Sequence, residues 1–300
     1  MTASSPAAPL APPRSLLPDA TLVGITLLWG GTFLTVQTAL QWSGPFGFVA
    51  LRFGVAGLVA LLLSWRLLGG LTRIELRSGI LIGSVLFLSY SLQTSGLSSI
   101  TSSKSAFLTA LYVPLVPLMQ WLLFKRYPSR WSWAGIVIAF TGLALLSDPS
   151  GLDFGFGPGE WLTLAGAAVI AFEICLISRY ANACEPRRVA TVQLLVVSLL
   201  ATTGMLVSGE PLPQPHPGLI ACVAGIGLAT ALIQVAMNWA QKTVPATRAT
   251  IIYAMEPVWA GWIGWIGWLA GETLTPLVIT GAALVVVSVL ISQWGERQTQ

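Results

Sequence analysis

Long apolar runs almost empty of charge constrain this chain more than any other feature. Residues 51–64 and 279–291 hold one charged side chain between them, that of Arg52. A helix built from such a run has no face suited to water. About 20 apolar residues in a helix cover a bilayer core of roughly 30 Å. Over the whole chain only 9% of residues are charged and 55% are hydrophobic, whereas a soluble domain carries about 25% charged residues. Too little charge remains to cover a water-facing surface, so the chain reads as an integral membrane protein.

The runs predict ten helices, at 21–40, 46–67, 77–97, 103–124, 131–147, 160–180, 189–208, 218–240, 246–270 and 275–293. Residues 1–18, rich in Ala, Pro and Ser, read as a disordered tail. No positive segment opens them as in a signal peptide, so the first apolar run is expected to stay as a helix. The connections are too short for a soluble domain.

Ten helices put both termini on one side. With that side cytoplasmic, all of the 15 basic residues except Arg52 and Lys104 fall on cytoplasmic segments, while Asp148, Asp153, Glu160, Glu210 and Glu272 fall opposite. The positive-inside rule then predicts cytoplasmic termini. The same rule accounts for the net charge of +4 without a nucleic-acid partner, for which no basic cluster or motif is present. Cys175, Cys184 and Cys222 are isolated, with neither disulfide nor metal-ligand spacing. His216 sits in a proline-rich turn, 211–217. No metal site, cofactor motif or nucleotide-binding motif is expected.

The chain also resembles itself. Sliding it so that Pro257 lies over Pro114 places Ala249 over Ala106 and Gly227 over Ser84. Thr230, Gln234 and Asn238, four apart on one helix face, then lie over Phe87, Ser91 and Ser95. The expected architecture is an all-α membrane protein of ten transmembrane helices in two five-helix repeats, 20–148 and 158–293. An odd number of helices per repeat inverts the second half in the membrane. Inverted repeats mark many secondary transporters, with the substrate site near the midplane between them.

Several segments carry a family likeness: Leu28-Trp29-Gly30-Gly31-Thr32-Phe33, Leu51-Arg52-Phe53, the stretch from Phe107 to Pro114, and Met255-Glu256-Pro257-Val258 followed by Gly271-Glu272. With these the chain resembles the EamA-type carriers of the drug/metabolite transporter superfamily, over residues 20–293. The resemblance implies a ten-helix inner-membrane carrier, often an exporter of amino acids or other small metabolites. It also implies a central cavity lined by both halves, with the fifth and tenth helices peripheral. The chain departs from the pattern at Lys125-Arg126, where a Gly-Glu counterpart would fall, and at Phe172-Glu173, which puts an acid inside the membrane.

Intramembrane charges mark candidate sites, because each costs at least ~2.5 kcal/mol to insert. Arg52 either pairs a substrate carboxylate or Glu173, or snorkels to the interface or caps helix carbonyls. Glu173 and Glu256 must each find a partner or take up a proton, so each is either a cavity group or a structural acid. Tyr90, Tyr112, Tyr253, Gln234 and Asn238, together with Trp29 and Trp239, are polar or aromatic candidates for a cavity wall. Pro114 and Pro257 are candidate hinges, each freeing the carbonyl four residues earlier; Pro117 interrupts the fourth helix as well. Lys104 and Arg248 read as interface anchors. Trp259, Trp262, Trp265 and Trp268, interleaved with Gly261, Gly264 and Gly267, read as a packing surface.

The function expected is a secondary carrier moving a small organic metabolite across the bilayer by alternating access, with protons as a candidate coupling ion. Two other classes stay open at this point: a membrane-embedded enzyme acting on lipid, and a non-transporting sensor or assembly protein. Oligomeric state is not written in the sequence.

Overall fold

The structure is a computed structural model that describes residues 16–100, 102–125, 127–146, 157–256, 258–259 and 276–298. These residues form helices α1 (Leu17–Gly30), α2 (Thr32–Ala39), α3 (Pro45–Leu68), α4 (Arg73–Leu97), α5 (Ser102–Ala110), α6 (Tyr112–Phe124) and α7 (Arg130–Leu146). They continue with α8 (Pro158–Tyr180), a 3-10 turn (Ala181–Ala183), α9 (Pro186–Ser208), α10 (Pro217–Ala240), α11 (Ala246–Tyr253) and α12 (Pro276–Gln298). No strand occurs among the described residues.

Among the described residues, six helical segments are long and apolar enough to cross a membrane: Leu17–Ala39, Pro45–Leu68, Arg73–Leu97, Pro158–Ala183, Pro186–Ser208 and Pro217–Ala240. Shorter apolar helices cover Leu108–Phe124 and Ile279–Ile291. The molecule is inverted relative to a soluble protein. Leu62, Leu199 and Ile220 face outward, while Arg52, Glu173, Gln193 and Gln234 are buried. That distribution suits a solvent of lipid tails.

Proline opens several helices. Pro45, Pro158, Pro186 and Pro217 occupy the first turns of α3, α8, α9 and α10, where the missing N–H costs nothing and the fixed φ suits the helix. Pro18 does the same for α1, which starts at Leu17, inside the stretch expected to be tail. Residues 1–15 lie outside the described residues.

Expected single helices are broken in two places. The first expected helix divides at Gly31, where the Thr32 and Thr35 hydroxyls donate to the Trp29 and Gly31 carbonyls at 2.8 and 2.9 Å. The fourth divides at Leu111, between α5 and α6. Pro114 has no N–H to offer the carbonyl of Ala110, the last residue of α5. The second half repeats this arrangement: α11 ends at Tyr253, four residues before Pro257. Pro257 itself, Trp262, Trp265 and Trp268 with their glycines, and Asp148, Asp153 and Glu272 lie outside the described residues, as does the side chain of Lys104.

The packing partners are symmetric. α3 packs on α9, α7 on α12 and α6 on α11. α4 packs on α8 and α9, while α10 packs on α1 and α3. Exchanging each element for its counterpart in the other half (α1 for α8, α3 for α9, α4 for α10, α6 for α11, α7 for α12) returns the same set of pairs.

The ends of the α3–α9 pair are treated alike as well. Phe46 N and Gly47 N, at the start of α3, donate to the Glu210 carboxylate at 3.1 and 2.7 Å. Glu185 N, just before α9, donates to Glu75 Oε1 at 2.9 Å, and Arg188 Nη1 adds a 3.3 Å contact to the same carboxylate. Each helix therefore has its exposed N–H groups and positive dipole end met by an acid from beyond the other helix.

One expectation is corrected here. Arg248 is no interface anchor: it is buried and pairs with Asp19, Nη2 to Oδ2, at 2.6 Å. The apolar positions around it left no way to see that an acid from the first turn of α1 would come alongside.

Candidate functional site

Helices of both halves line a cavity with about 680 Å³ of empty space, the open solvent at its mouth included. Among the described residues, none of α7 or α12 lines it.

Arg52 lies two turns into α3 with only 3% of its surface exposed. Its Nε donates to Thr230 Oγ1 on α10 at 2.9 Å. Its guanidinium lies 4.7 Å over the Tyr90 ring, and Tyr90 in turn meets Phe53 edge-on at 4.9 Å. The Thr230 hydrogen bond and two aromatic rings, Tyr90 and, at 5.4 Å, Phe53, hold the planar group, and the residue borders the cavity. It therefore neither snorkels nor caps a helix end. No carboxylate among the described residues forms an ion pair with it.

Two acids border the same space. Glu173 on α8 is buried and lies against Gln234 and Ser89. Glu256, just beyond α11, is half-buried and interacts across the cavity with Arg52. Arg52 therefore does not pair with Glu173, which is turned toward α10 and α4; Glu256 is the acid whose charge it feels through space, without an ion pair, and a substrate carboxylate is the partner its position leaves open.

Behind Gln234 runs a chain of buried amides. Gln193 Nε2 on α9 donates to Gln234 Oε1 at 2.6 Å. Asn238 Nδ2 donates to Gln193 Oε1 at 3.3 Å and to the Gln234 carbonyl at 2.8 Å.

Of the expected wall residues, Arg52, Tyr90, Tyr112, Glu173, Gln234 and Glu256 border the cavity, and so does Trp29. Asn238 and Tyr253 do not. Asn238 belongs to the amide chain, and the Tyr253 hydroxyl accepts from Gln241 Nε2 at 3.2 Å while its ring meets Trp29 edge-on at 5.1 Å. Both support the wall from behind. Trp239 faces outward, 38% exposed. Pro114 lies just past the α5–α6 break.

The sequence reading missed Gln93, Thr94 and Thr109. Gln93 Nε2 donates to Thr109 Oγ1 at 3.1 Å, and all three border the cavity. A signal was present. Tyr90, Gln93, Thr94 and Leu97 follow the i, i+3, i+4, i+7 spacing of one helix face. The repeat alignment instead pointed to Phe87, Ser91 and Ser95, none of which borders the cavity.

One fixed cation, two carboxyls and a ring of aromatic side chains can hold a small molecule carrying both charges. Among the described residues, no cluster of His, Cys, Asp and Glu could bind a metal ion.

Comparison with known proteins places this geometry in context. The sequence profile of the EamA-like transporter family matches the chain twice, over residues 17–148 and 157–294. A relative from Archaeoglobus fulgidus, named an uncharacterized transporter, is 30% identical over 280 residues, covering 93% of this chain and 86% of the relative. The uncharacterized inner membrane transporter YedA of Escherichia coli K12 is 26% identical over 290 residues, covering 94% and 93%. A crystal structure superposes with a TM-score of 0.78 at 19% identity, over 92% of this chain and 98% of the other, a likeness of fold alone. The family also removes the lipid-enzyme alternative. The chain is a multi-pass membrane protein belonging to the EamA-like transporter family of the drug/metabolite transporter superfamily, and hence a transporter rather than an enzyme.

Proposed function

We propose that the protein is a secondary carrier for a small zwitterionic metabolite of the amino-acid type, working by alternating access in the direction of export. The observation that carries the reading is the charge layout of the cavity. Arg52, from the first half, offers a guanidinium to a carboxylate. Glu173 and Glu256, from the second half, offer carboxyls to an ammonium. Trp29, Tyr90 and Tyr112 supply aromatic faces.

The architecture supports the same reading. The family profile matches the two halves separately, and the packing partners are exchanged by swapping halves. This favours ten spans in two inverted five-helix repeats, 20–148 and 158–293, with both termini cytoplasmic. The repeats rock about the site to open it to each side in turn. The breaks near Pro114 and at the end of α11 act as hinges beside the cavity. Protons are the coupling ion that Glu173 and Glu256 suit, and the inner membrane is the location that fits.

The test is a thermal-shift screen of purified protein against the common amino acids, each beside its deaminated and decarboxylated analogues, followed by flux in proteoliposomes. A ligand of the folded state raises its melting temperature. Stabilisation by at least one amino acid, with weaker effects from both of its analogues, is expected. Equal stabilisation by the deaminated analogues, or no response and no flux, overturns the reading.

A further inference from the structure

We infer that Gln193, which does not border the cavity, is a positioning residue that sets the polarity of the ammonium subsite by fixing the Gln234 amide so that its NH2 faces Glu173. The inference rests on the carrier reading above and adds to it a residue that contacts no substrate.

The direction of every hydrogen bond in the chain follows from one atom whose chemistry is unambiguous. The backbone carbonyl oxygen of Gln234 can only accept, and the Asn238 side chain meets it at 2.8 Å. The Asn238 atom at that contact is therefore the nitrogen. Its second hydrogen points to Gln193 at 3.3 Å, so the Gln193 atom there is the oxygen. The other end of the Gln193 amide is then the NH2 group, and it donates to Gln234 at 2.6 Å. That contact takes the Gln234 oxygen and leaves the Gln234 NH2 free to point toward the cavity, whose wall Gln234 shares with Glu173. Three amides in series thus carry the polarity of a backbone carbonyl to the cavity wall.

The chain has little room to turn over. Gln193 is fully buried, and Gln234 and Asn238 are nearly so. The backbone of α9 is also fixed at this point. A Cβ built on Gly83 of α4 would come within 2.7 Å of the Gln193 carbonyl oxygen and 2.9 Å of its Cα. Helix α4 therefore presses directly on the residue whose side chain sets the relay.

The consequence is chemical. An NH2 on that side offers the Glu173 carboxylate a donor, and its remaining lone pairs can accept from a substrate ammonium. If the Gln234 amide were reversed, two acceptor oxygens would face each other. Glu173 could relieve that only by carrying a hydrogen itself, and it would then no longer receive an ammonium as a charge-assisted partner.

The test uses the full-length protein, the amino acid that most stabilises the wild type in the screen above, and its deaminated analogue. Gln193→Met keeps the side-chain length and removes both hydrogen-bonding ends. It is expected to lower the preference for the amino acid over the analogue by about tenfold, the scale of one charge-assisted hydrogen bond. Gln234→Met should lower it similarly. In the Gln234→Met background, Gln193→Met should add nothing, since it acts through Gln234. If Gln193→Met yields no folded protein, Asn238→Leu cuts the relay one step further back and is read the same way. An unchanged preference in a folded variant, or losses that add in the double variant, overturns the positioning role. A wild type that makes no distinction between the two ligands overturns the carrier reading instead, and with it this inference.

Discussion

Asp19 and Arg248 meet at 2.6 Å, both nearly buried, and join the first turn of α1 to α11. The contact links the two halves at the end of the molecule where both helices begin. Nearby, Trp259 Nε1 donates to Thr26 Oγ1 at 2.9 Å along the same pair of segments. Such a contact ties the second half to the first on one side of the cavity.

Removing one partner of a buried pair withdraws a charge from the other, a loss of about 3 kcal/mol or more. Arg248→Gln should therefore lower the melting temperature in detergent by several degrees. The double exchange Asp19→Arg with Arg248→Asp should recover part of that loss. An unchanged melting curve for Arg248→Gln would show that the pair contributes nothing to stability.

Helix packing gives a second expectation. With Gln193 backbone atoms 2.7–2.9 Å from where a Gly83 Cβ would sit, the neighbour cannot rotate away as a side chain could. Gly83→Ala should separate α4 from α9 at a cost of about 1–3 kcal/mol. Gly24, with nothing near its Cβ position, is the matched control. Equal melting temperatures for Gly83→Ala and Gly24→Ala would contradict the close approach.

Much of this was legible in the sequence, for identifiable reasons. Apolar run length is set by bilayer thickness, so the helices could be placed from composition. Arg52, Glu173, Glu256 and Gln234 could be found because polar groups in such runs need a polar surrounding. What the sequence hid was pairing between distant segments. Nothing local marks Asp19 as the partner of Arg248, or Gln193 as the support of Gln234. The break at Gly31 was equally hidden, since it involves no proline and is offset by threonine hydroxyls. Helix phase was the other loss. The repeat alignment chose a face of α4 turned from that bearing Tyr90, Gln93 and Thr94.

Orientation can be tested without knowing the substrate. Lys125 follows α6, and His216 precedes α10, on connections expected on opposite sides. Single cysteines placed there, in a background with Cys175, Cys184 and Cys222 replaced, should differ in intact cells. An impermeant thiol reagent should label position 216 and spare position 125. The reverse pattern would invert the assignment of the termini.

Arg52 can be separated from stability by comparing two substitutions. Arg52→Ala removes a buried charge, which eases insertion into lipid, so its membrane level should hold. Substrate stabilisation and flux should fall to background. Arg52→Lys keeps the charge but lacks the planar fork that both donates to Thr230 and rests on Tyr90, so it should recover little. Normal flux from Arg52→Ala at normal abundance would leave the residue no part in binding.

Glu256 is the residue on which proton coupling would be tested first. It stands half-buried at the cavity, with Arg52 of α3, Tyr90 of α4, Tyr112 of α6 and Glu173 of α8 bordering the same space. Arg52 is the one cation among these groups, and it also suits a substrate carboxylate. A substrate that takes Arg52 withdraws that charge from Glu256, and a proton can replace it. Binding and proton uptake would then be linked through one guanidinium. Because α11 ends at Tyr253, Glu256 also lies at the point where the second half would bend, so its charge state bears on which side is open. Glu256→Gln keeps the shape and the hydrogen-bonding capacity but cannot titrate. It should still bind substrate and catalyse exchange, while net transport loses its response to an imposed pH gradient. Proteoliposomes loaded with substrate and given such a gradient test both properties in one preparation. If the variant responds to the gradient as the wild type does, Glu256 is not the coupling group, and Glu173 is the next to replace. If the wild type itself is indifferent to the gradient, protons are not coupled, and Glu256 serves to hold Arg52 or the substrate ammonium in place.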